Sequence, residues 1–268
     1  MSRPRVEGVC NICGHLRKLS YEHVPPHSAF NDRKVILSTA DQYWNHGRKG
    51  GRIKGVHLQA GHGVYTLCER CNNTTGGWYG ASFADWCKEG FEFHDRTGGK
   101  ATIIETHFIR PLPVIKQVVT MFLAMHGGEG LRDRHPDLVR FVLNRDANHL
   151  HPRYRFWVYY VAPGPLRKTP PCAILNIETG RITSGMEFSF PPYGYMITID
   201  STPQDDRLFE VSRFARYQFL DLERVVLNLR ELPTHGPVLG DYRQFEDIER
   251  KDGDTNVILD QDFRRWTG

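Results

Sequence analysis

Two Cys-x-x-Cys pairs constrain this chain more than any other feature: Cys10-Asn-Ile-Cys13-Gly14 and Cys68-Glu-Arg-Cys71-Asn72. Two residues between thiolates let both sulfurs reach one tetrahedral ion, and the glycine after the first pair permits the tight turn. The spacing predicts one structural Zn²⁺ held by Cys10, Cys13, Cys68 and Cys71. Between the pairs lie 54 residues, too many for a minimal zinc ribbon, so a substantial insert is expected. Redox chemistry is the alternative, but neither pair has the βαβ surroundings of a thioredoxin motif. A site closed by four thiolates has no open position, so such an ion holds structure and the chemistry must lie beside it. Cys87 and Cys172 are isolated and read as semi-buried thiols.

Composition narrows the class. Hydrophobic residues make up 40% of the 268-residue chain, enough for a packed core and too many for wholesale disorder. No apolar run approaches the roughly 20 residues a bilayer span needs, and no apolar stretch follows Met1–Arg5. A soluble, cytoplasmic protein with no membrane partner is expected, and six cysteines in that setting argue against a disulfide scaffold. A net charge of +4 permits a nucleic-acid partner without demanding one.

The chain divides by pattern near residue 100. Residues 1–100 carry the paired cysteines, many glycines and little apolar periodicity. Residues 101–268 read as a packed α+β domain. Pro111–Met125 predicts a helix with proline in its first turn, apolar on most faces, stopped by Gly127-Gly128. A second helix after Pro136 would bury Leu138, Val139, Val142 and Leu143. Tyr154–Val161, Cys172–Ile177 and Tyr195–Ile199 read as strands, with a hairpin turn between Ile177 and Ile182 and another strand at 223–232. From Gly240 the tail reads as a polar surface segment, with Phe263 and Trp266 as anchors.

After the first cysteine pair comes Ser20-Tyr21-Glu22-His23-Val24-Pro25-Pro26, which puts a carboxylate and an imidazole at the end of a short strand. After the second pair, Asn72-Asn73 open a candidate helix. The order C-x-x-C-G, E-H-V-P-P, L-C-x-x-C-N resembles the zinc-stapled branch of the HNH endonucleases over residues 8–86. The resemblance implies an N-terminal ββα-metal (treble-clef-like) module followed by the mixed α+β domain, and a metal-dependent endonuclease acting on nucleic acid, double-stranded DNA in particular. It implies that His23 is the general base, and that Glu22 and Asn72 are ligands of one catalytic Mg²⁺ or Mn²⁺. The family's middle asparagine, before the second cysteine pair, is missing from residues 61–66. His62 or a backbone carbonyl would then orient the base.

The chemistry of these residue types agrees. A neutral imidazole accepts a proton from water, and a hard divalent ion on oxygen ligands neutralises charge on the transition state and the leaving oxygen. Each residue also has a plain structural reading: His23 as a turn histidine, Glu22 as a surface carboxylate, Asn72 as a helix cap. Asn73 and Asp85 are fallback ligands, and His27, His46 and His57 read as loop histidines. The insert, residues 31–63, carries Arg33, Lys34, Arg48, Lys49, Arg52 and Lys54 among glycines and aromatics. Such a run is ordinarily a solvated face. Beside a nuclease site, Arg48, Lys49, Arg52 and Lys54 would instead grip a phosphate backbone.

Residues 101–268 contain no P-loop, no G-x-G-x-x-G after a strand and no nucleophile elbow. Specificity, sensing or assembly, as a homo-oligomer or with a partner protein, are open roles for this half. Its architecture suits a bacterial or phage defence or restriction protein only by analogy. A rival from another class is a non-catalytic zinc-finger protein that binds nucleic acid.

Overall fold

A computed structural model describes residues 6–44, 52–98 and 102–249. Of the residues singled out above, His46, Arg48, Lys49, Phe263 and Trp266 lie outside the described residues.

The fold is mixed α+β. Strands β1 (Val6–Val9) and β2 (Leu16–His23) form an antiparallel hairpin closed by the first cysteine pair. The insert contributes β3 (Val35–Leu37), the short helix α1 (Ala40–Gln42) and β4 (Val56–Leu58), with β3 paired to β4. Strand β5 (Gly63–Cys68) returns antiparallel to β2, giving the order β1-β2-β5. The 29-residue helix α2 (Glu69–Thr97) follows at once. It therefore starts three residues before Asn72, which lies inside the first turn rather than opening the helix.

The rest of the chain is β6 (Thr102–Ile109), α3 (Pro111–His126), α4 (Leu131–Arg134), α5 (Pro136–Leu143), β7 (Tyr154–Val161), β8 (Lys168–Leu175), β9 (Ile182–Phe190), β10 (Tyr193–Ile199), β11 (Phe209–Glu210), β12 (Glu223–Leu232) and α6 (Phe245–Glu249). Six of these strands run in the order β6-β12-β7-β10-β9-β8, and β11 adds to β7. The Pro170-Pro171 pair sits on β8, an edge strand, where missing amide donors cost least. The hairpin expected between Ile177 and Ile182 joins β8 to β9, with Gly180 at φ +67°, where glycine carries no steric penalty.

Alternation along β7 separates two apolar layers. Phe156, Val158 and Tyr160 face the cluster that contains helices α2 and α3. Trp157, Tyr159 and Val161 face a smaller cluster with Leu239 and Tyr242. The first cluster runs from Cys10 and Ile12 through Phe83 and Trp86 to Tyr195 and Ile197, so the chain on either side of residue 100 packs on one core. All sixteen residues of α3 are buried within it. In α5 the buried side is Leu138, Phe141 and Val142, whereas Leu143 is exposed, because the helix ends there and its last residue turns outward. Cys87 is fully buried rather than half-buried. The expected surface tail also differs: Leu239 and Tyr242 are buried, because Glu187 on β9 accepts hydrogen bonds from the Gly240 amide (3.1 Å) and from the hydroxyls of Tyr242 (2.8 Å) and Tyr159 (2.6 Å). Arg167 pairs with the same carboxylate at 2.6 Å, so the buried charge is matched.

One buried cation lies inside the helical layer. Lys116 on α3 donates to the Phe141 and Asn144 carbonyls at the end of α5, and its ammonium lies 3.9 Å from the Phe141 ring centre. Burial pulls its pKa from 10.5 down to about 7, with Asp146 opposing the shift. The unfolded chain therefore holds a proton that the folded chain releases between those two values, and this group's contribution to stability rises with pH across that window. The unfolding free energy of the parent minus that of Lys116→Met should increase from about pH 7 to about pH 9, by at most about 1.36 kcal/mol per pH unit. Urea titrations giving a flat difference would contradict this.

Candidate functional site

The turn between β1 and β2 is built for its cysteines. The Gly14 amide donates to the Cys10 carbonyl (2.9 Å) and the Cys10 amide to the His15 carbonyl (3.0 Å), with Gly14 at φ +73°. Asn11 seats this turn on its neighbours, its amide on the Thr66 carbonyl (2.8 Å) and its side chain on the Ala124 carbonyl (3.0 Å). The second pair straddles the start of α2, with Cys68 at the extended cap position and Cys71 in the first turn. The four sulfurs all lie within 4.8 Å of one another, and those of Cys13 and Cys68 are 3.9 Å apart. A tetrahedral ion with Zn–S bonds of about 2.3 Å needs sulfur–sulfur edges of about 3.8 Å, so the donor set fits zinc.

The thiols share protons as a group. Cys71 donates to Cys10 and holds it down at about 4, helped by the Cys68 and Cys13 amides against burial; the same contact and burial push Cys71 up. Burial also raises Cys13.

Next to it, a cleft of about 600 Å³ opens between the end of β2 and the outer face of α2. Tyr21, Glu22, His23 and His27 line one side; Asn72 and Asp85 lie on the other, with Gly76, Gly80, Ala81 and Ala84 between them. The register of β2 against β5 shifts between Ser20 and Glu22, an irregularity that re-aims the side chains at the strand's end. Glu22 is 8% exposed, and burial raises its carboxyl to about 7, while a hydrogen bond from Asn72 works against the rise. The Asn72 amide nitrogen also reaches the Ser20 hydroxyl (3.0 Å) and the Tyr21 carbonyl (3.4 Å).

His23 stands edge-on to Tyr21 and His27, with ring centres 4.9 Å and 5.2 Å away. Its Nε2 lies 3.1 Å from the Ala60 carbonyl. A carbonyl only accepts, so Nε2 carries the hydrogen and Nδ1 the basic lone pair. The backbone carbonyl, of the two candidates for orienting this ring, is the one in contact with it. His62 does not line the cleft: its Nδ1 bonds the Val24 carbonyl (3.0 Å), its ring packs near Phe188, and burial lowers its pKa.

Asn31 is the residue that sequence reasoning missed. Fully buried, it donates to the Pro25 and His62 carbonyls (2.7 and 2.6 Å) and accepts from the His62 amide (2.7 Å). It thereby ties the turn after His23 to the chain entering β5. Only a side-chain amide offers donors and an acceptor together for such a brace, and an asparagine shortly after the proline pair was the available signal. Arg52 and Lys54 are exposed on the approach to β4 and do not line the cleft. Asn73 is exposed beside a neighbouring cleft, and His57 is exposed on β4.

Among the described residues, no helix is long and apolar enough to cross a membrane. No protein-family model, curated protein or solved structure matches this chain.

Two outcomes follow from the geometry. Elemental analysis should find one zinc per chain, and Cys68→Ser should lose the ion and lower the melting temperature together, because ligand binding here is coupled to folding; an unchanged melting curve would exclude the ion. Asn31→Ala should lower stability by about 1–3 kcal/mol in urea titrations, because it strands buried backbone groups, whereas Asn31→Asp should be no better since it keeps only acceptors.

Proposed function

We propose that this chain is a metal-dependent endonuclease of the HNH type that hydrolyses nucleic-acid phosphodiester bonds, with double-stranded DNA as substrate. The carrying observation is that Glu22, His23 and Asn72 meet in one cleft beside the four-cysteine cluster. The succession of a cysteine-bearing hairpin, a returning strand and a helix that starts at the second cysteine pair supports reading residues 8–86 as a ββα-metal, treble-clef-like module.

In this reading the cysteine cluster holds structural Zn²⁺ and leaves the chemistry to the cleft. His23 takes the proton of the attacking water at Nδ1, and the Ala60 carbonyl holds its ring and tautomer. Asn31 keeps the two chain segments around His23 in register. Glu22 and Asn72 are the oxygen ligands that would hold one Mg²⁺ or Mn²⁺, a hard ion that keeps several of its waters and supplies charge neutralisation at the phosphate and the leaving oxygen. The cleft is open enough to admit a phosphate.

One observation favours a second reading, a non-catalytic zinc-bearing nucleic-acid binder: burial holds the Glu22 carboxyl at about 7, so an incoming cation competes with a proton for it. Plasmid cleavage with Mg²⁺, Mn²⁺ or EDTA separates the two. His23→Ala should cut single-turnover cleavage by about 10²–10⁴-fold with fold, zinc content and DNA binding unchanged. Extra Mg²⁺ or Mn²⁺ should restore part of the activity lost in Glu22→Ala and Asn72→Ala and none of that lost in His23→Ala. A parent that binds DNA and cuts nothing with either metal would decide for the second reading.

A further inference from the structure

A second cleft, of about 480 Å³, opens at the other end of β2. Arg17, Lys18 and Arg70 line it together with Cys68, Glu69 and Asn73. The three cations are exposed and outnumber the single carboxylate. None of them makes an ion pair among the described residues. Elsewhere on the surface, Arg140, Arg145 and Arg207 each meet an aspartate within three residues. Glu69 in the lining and Glu7 opposite Lys18 on β1 offset part of this charge, yet the lining stays net positive, and cations gathered in a concavity concentrate anions.

The two clefts share their walls. Neighbouring residues Asn72 and Asn73 line one cleft each, and β2 supplies Lys18 to one and Glu22 to the other. Lys18 and Glu22 are four residue steps apart along the strand, about 13 Å at about 3.3 Å per step. Among the described residues, no aromatic side chain lines the second cleft. Unstacked bases bind largely by stacking on such rings, so the lining suits the backbone of a duplex rather than a single strand.

We propose that Arg17, Lys18 and Arg70 form a docking site for the phosphate backbone of duplex DNA, about 13 Å along β2 from the cleft at Glu22 and His23. That a bond is cut in that cleft rests on the nuclease reading; the docking itself does not. It assigns backbone contact to the β2–α2 face, separately from the cations of the insert.

Binding of a fluorescent duplex by the full chain carrying His23→Ala, measured from about 50 to about 200 mM salt, tests this. Adding Arg17→Gln, Lys18→Gln and Arg70→Gln together should weaken binding on every duplex sequence. It should also reduce the slope of log K against log salt by about 2.7, about 0.9 for each lost phosphate contact. All three side chains are exposed, so zinc content and melting temperature serve as the folding check. A control with Arg140→Gln, Arg145→Gln and Arg207→Gln removes the same charge and should keep the starting slope. The proposal is overturned if the first triple keeps that slope, if the control flattens it equally, or if a single strand loses as much affinity as the duplex. A wild-type chain that cuts DNA while the triple keeps the slope sinks the docking site alone. A chain that cuts nothing while the triple flattens the slope sinks only the nuclease reading.

Discussion

The packing of one helix face sets the terms for the rest of this structure. Along α2, Cys71, Thr75, Tyr79, Phe83, Trp86 and Gly90 recur every three or four residues and are all buried. The stripe meets the cysteine cluster at one end and the seven-stranded sheet at the other, where Trp86 stacks on Tyr193 and donates to the Tyr195 hydroxyl at 2.8 Å. Gly90 allows the closest approach: a Cβ there would come within 2.2 Å of the Tyr193 hydroxyl. Because the helix is rigid over this length, holding its far half against the sheet also fixes where Cys71 and Asn72 stand.

The outer face of the same helix has the opposite character. A Cβ added at Gly76 or Gly80, which both line the cleft, would meet nothing within 4 Å, so this side is bare backbone beside Glu22 and His23. Glycines in a helix interior cost stability, and here the inner stripe offsets that cost through packing. The cysteine cluster and the cleft are thus two ends of one arrangement of β2, β5 and α2, and a change that loosens the cluster moves the residues of the cleft with it.

Three buried polar side chains complete the frame by reaching partners far along the chain. Asn31 reaches His62, Asn11 reaches Ala124, and Glu187 gathers Arg167, Tyr159, Tyr242 and Gly240. Leaving any of these groups without its partner would cost more than the bond itself contributes, because a desolvated polar atom has no water to fall back on. Such bonds select one packing of the apolar layers out of several that hydrophobicity alone would accept.

Local signals made part of this legible. The cysteine spacing pointed to the cluster, proline at the start and glycine at the end framed α3, and aromatic and β-branched runs marked β7 and β10. These depend on residues a few positions apart, which a sequence displays directly. The candidate helix at Asn72-Asn73 was legible, but the full length of α2 was obscured by its four interior glycines, whose cost is met by packing that the sequence does not display. Strand β9 was obscured because Thr183, Glu187 and Ser189, polar residues, are buried along it together with Met186 and Phe188. The proximity of Glu22, His23 and Asn72 was suggested by motif order, but the Asn31 brace, the Ala60 contact to His23 and the turning of His62 away from the cleft depend on backbone groups that every residue carries alike. The sequence by itself determined which segments are helix or strand where propensity and pattern agree, and which sulfurs belong together. Only the tertiary structure decided which polar groups meet, because hydrogen bonds between residues tens of positions apart are set by how the layers pack and leave no periodic trace in the chain.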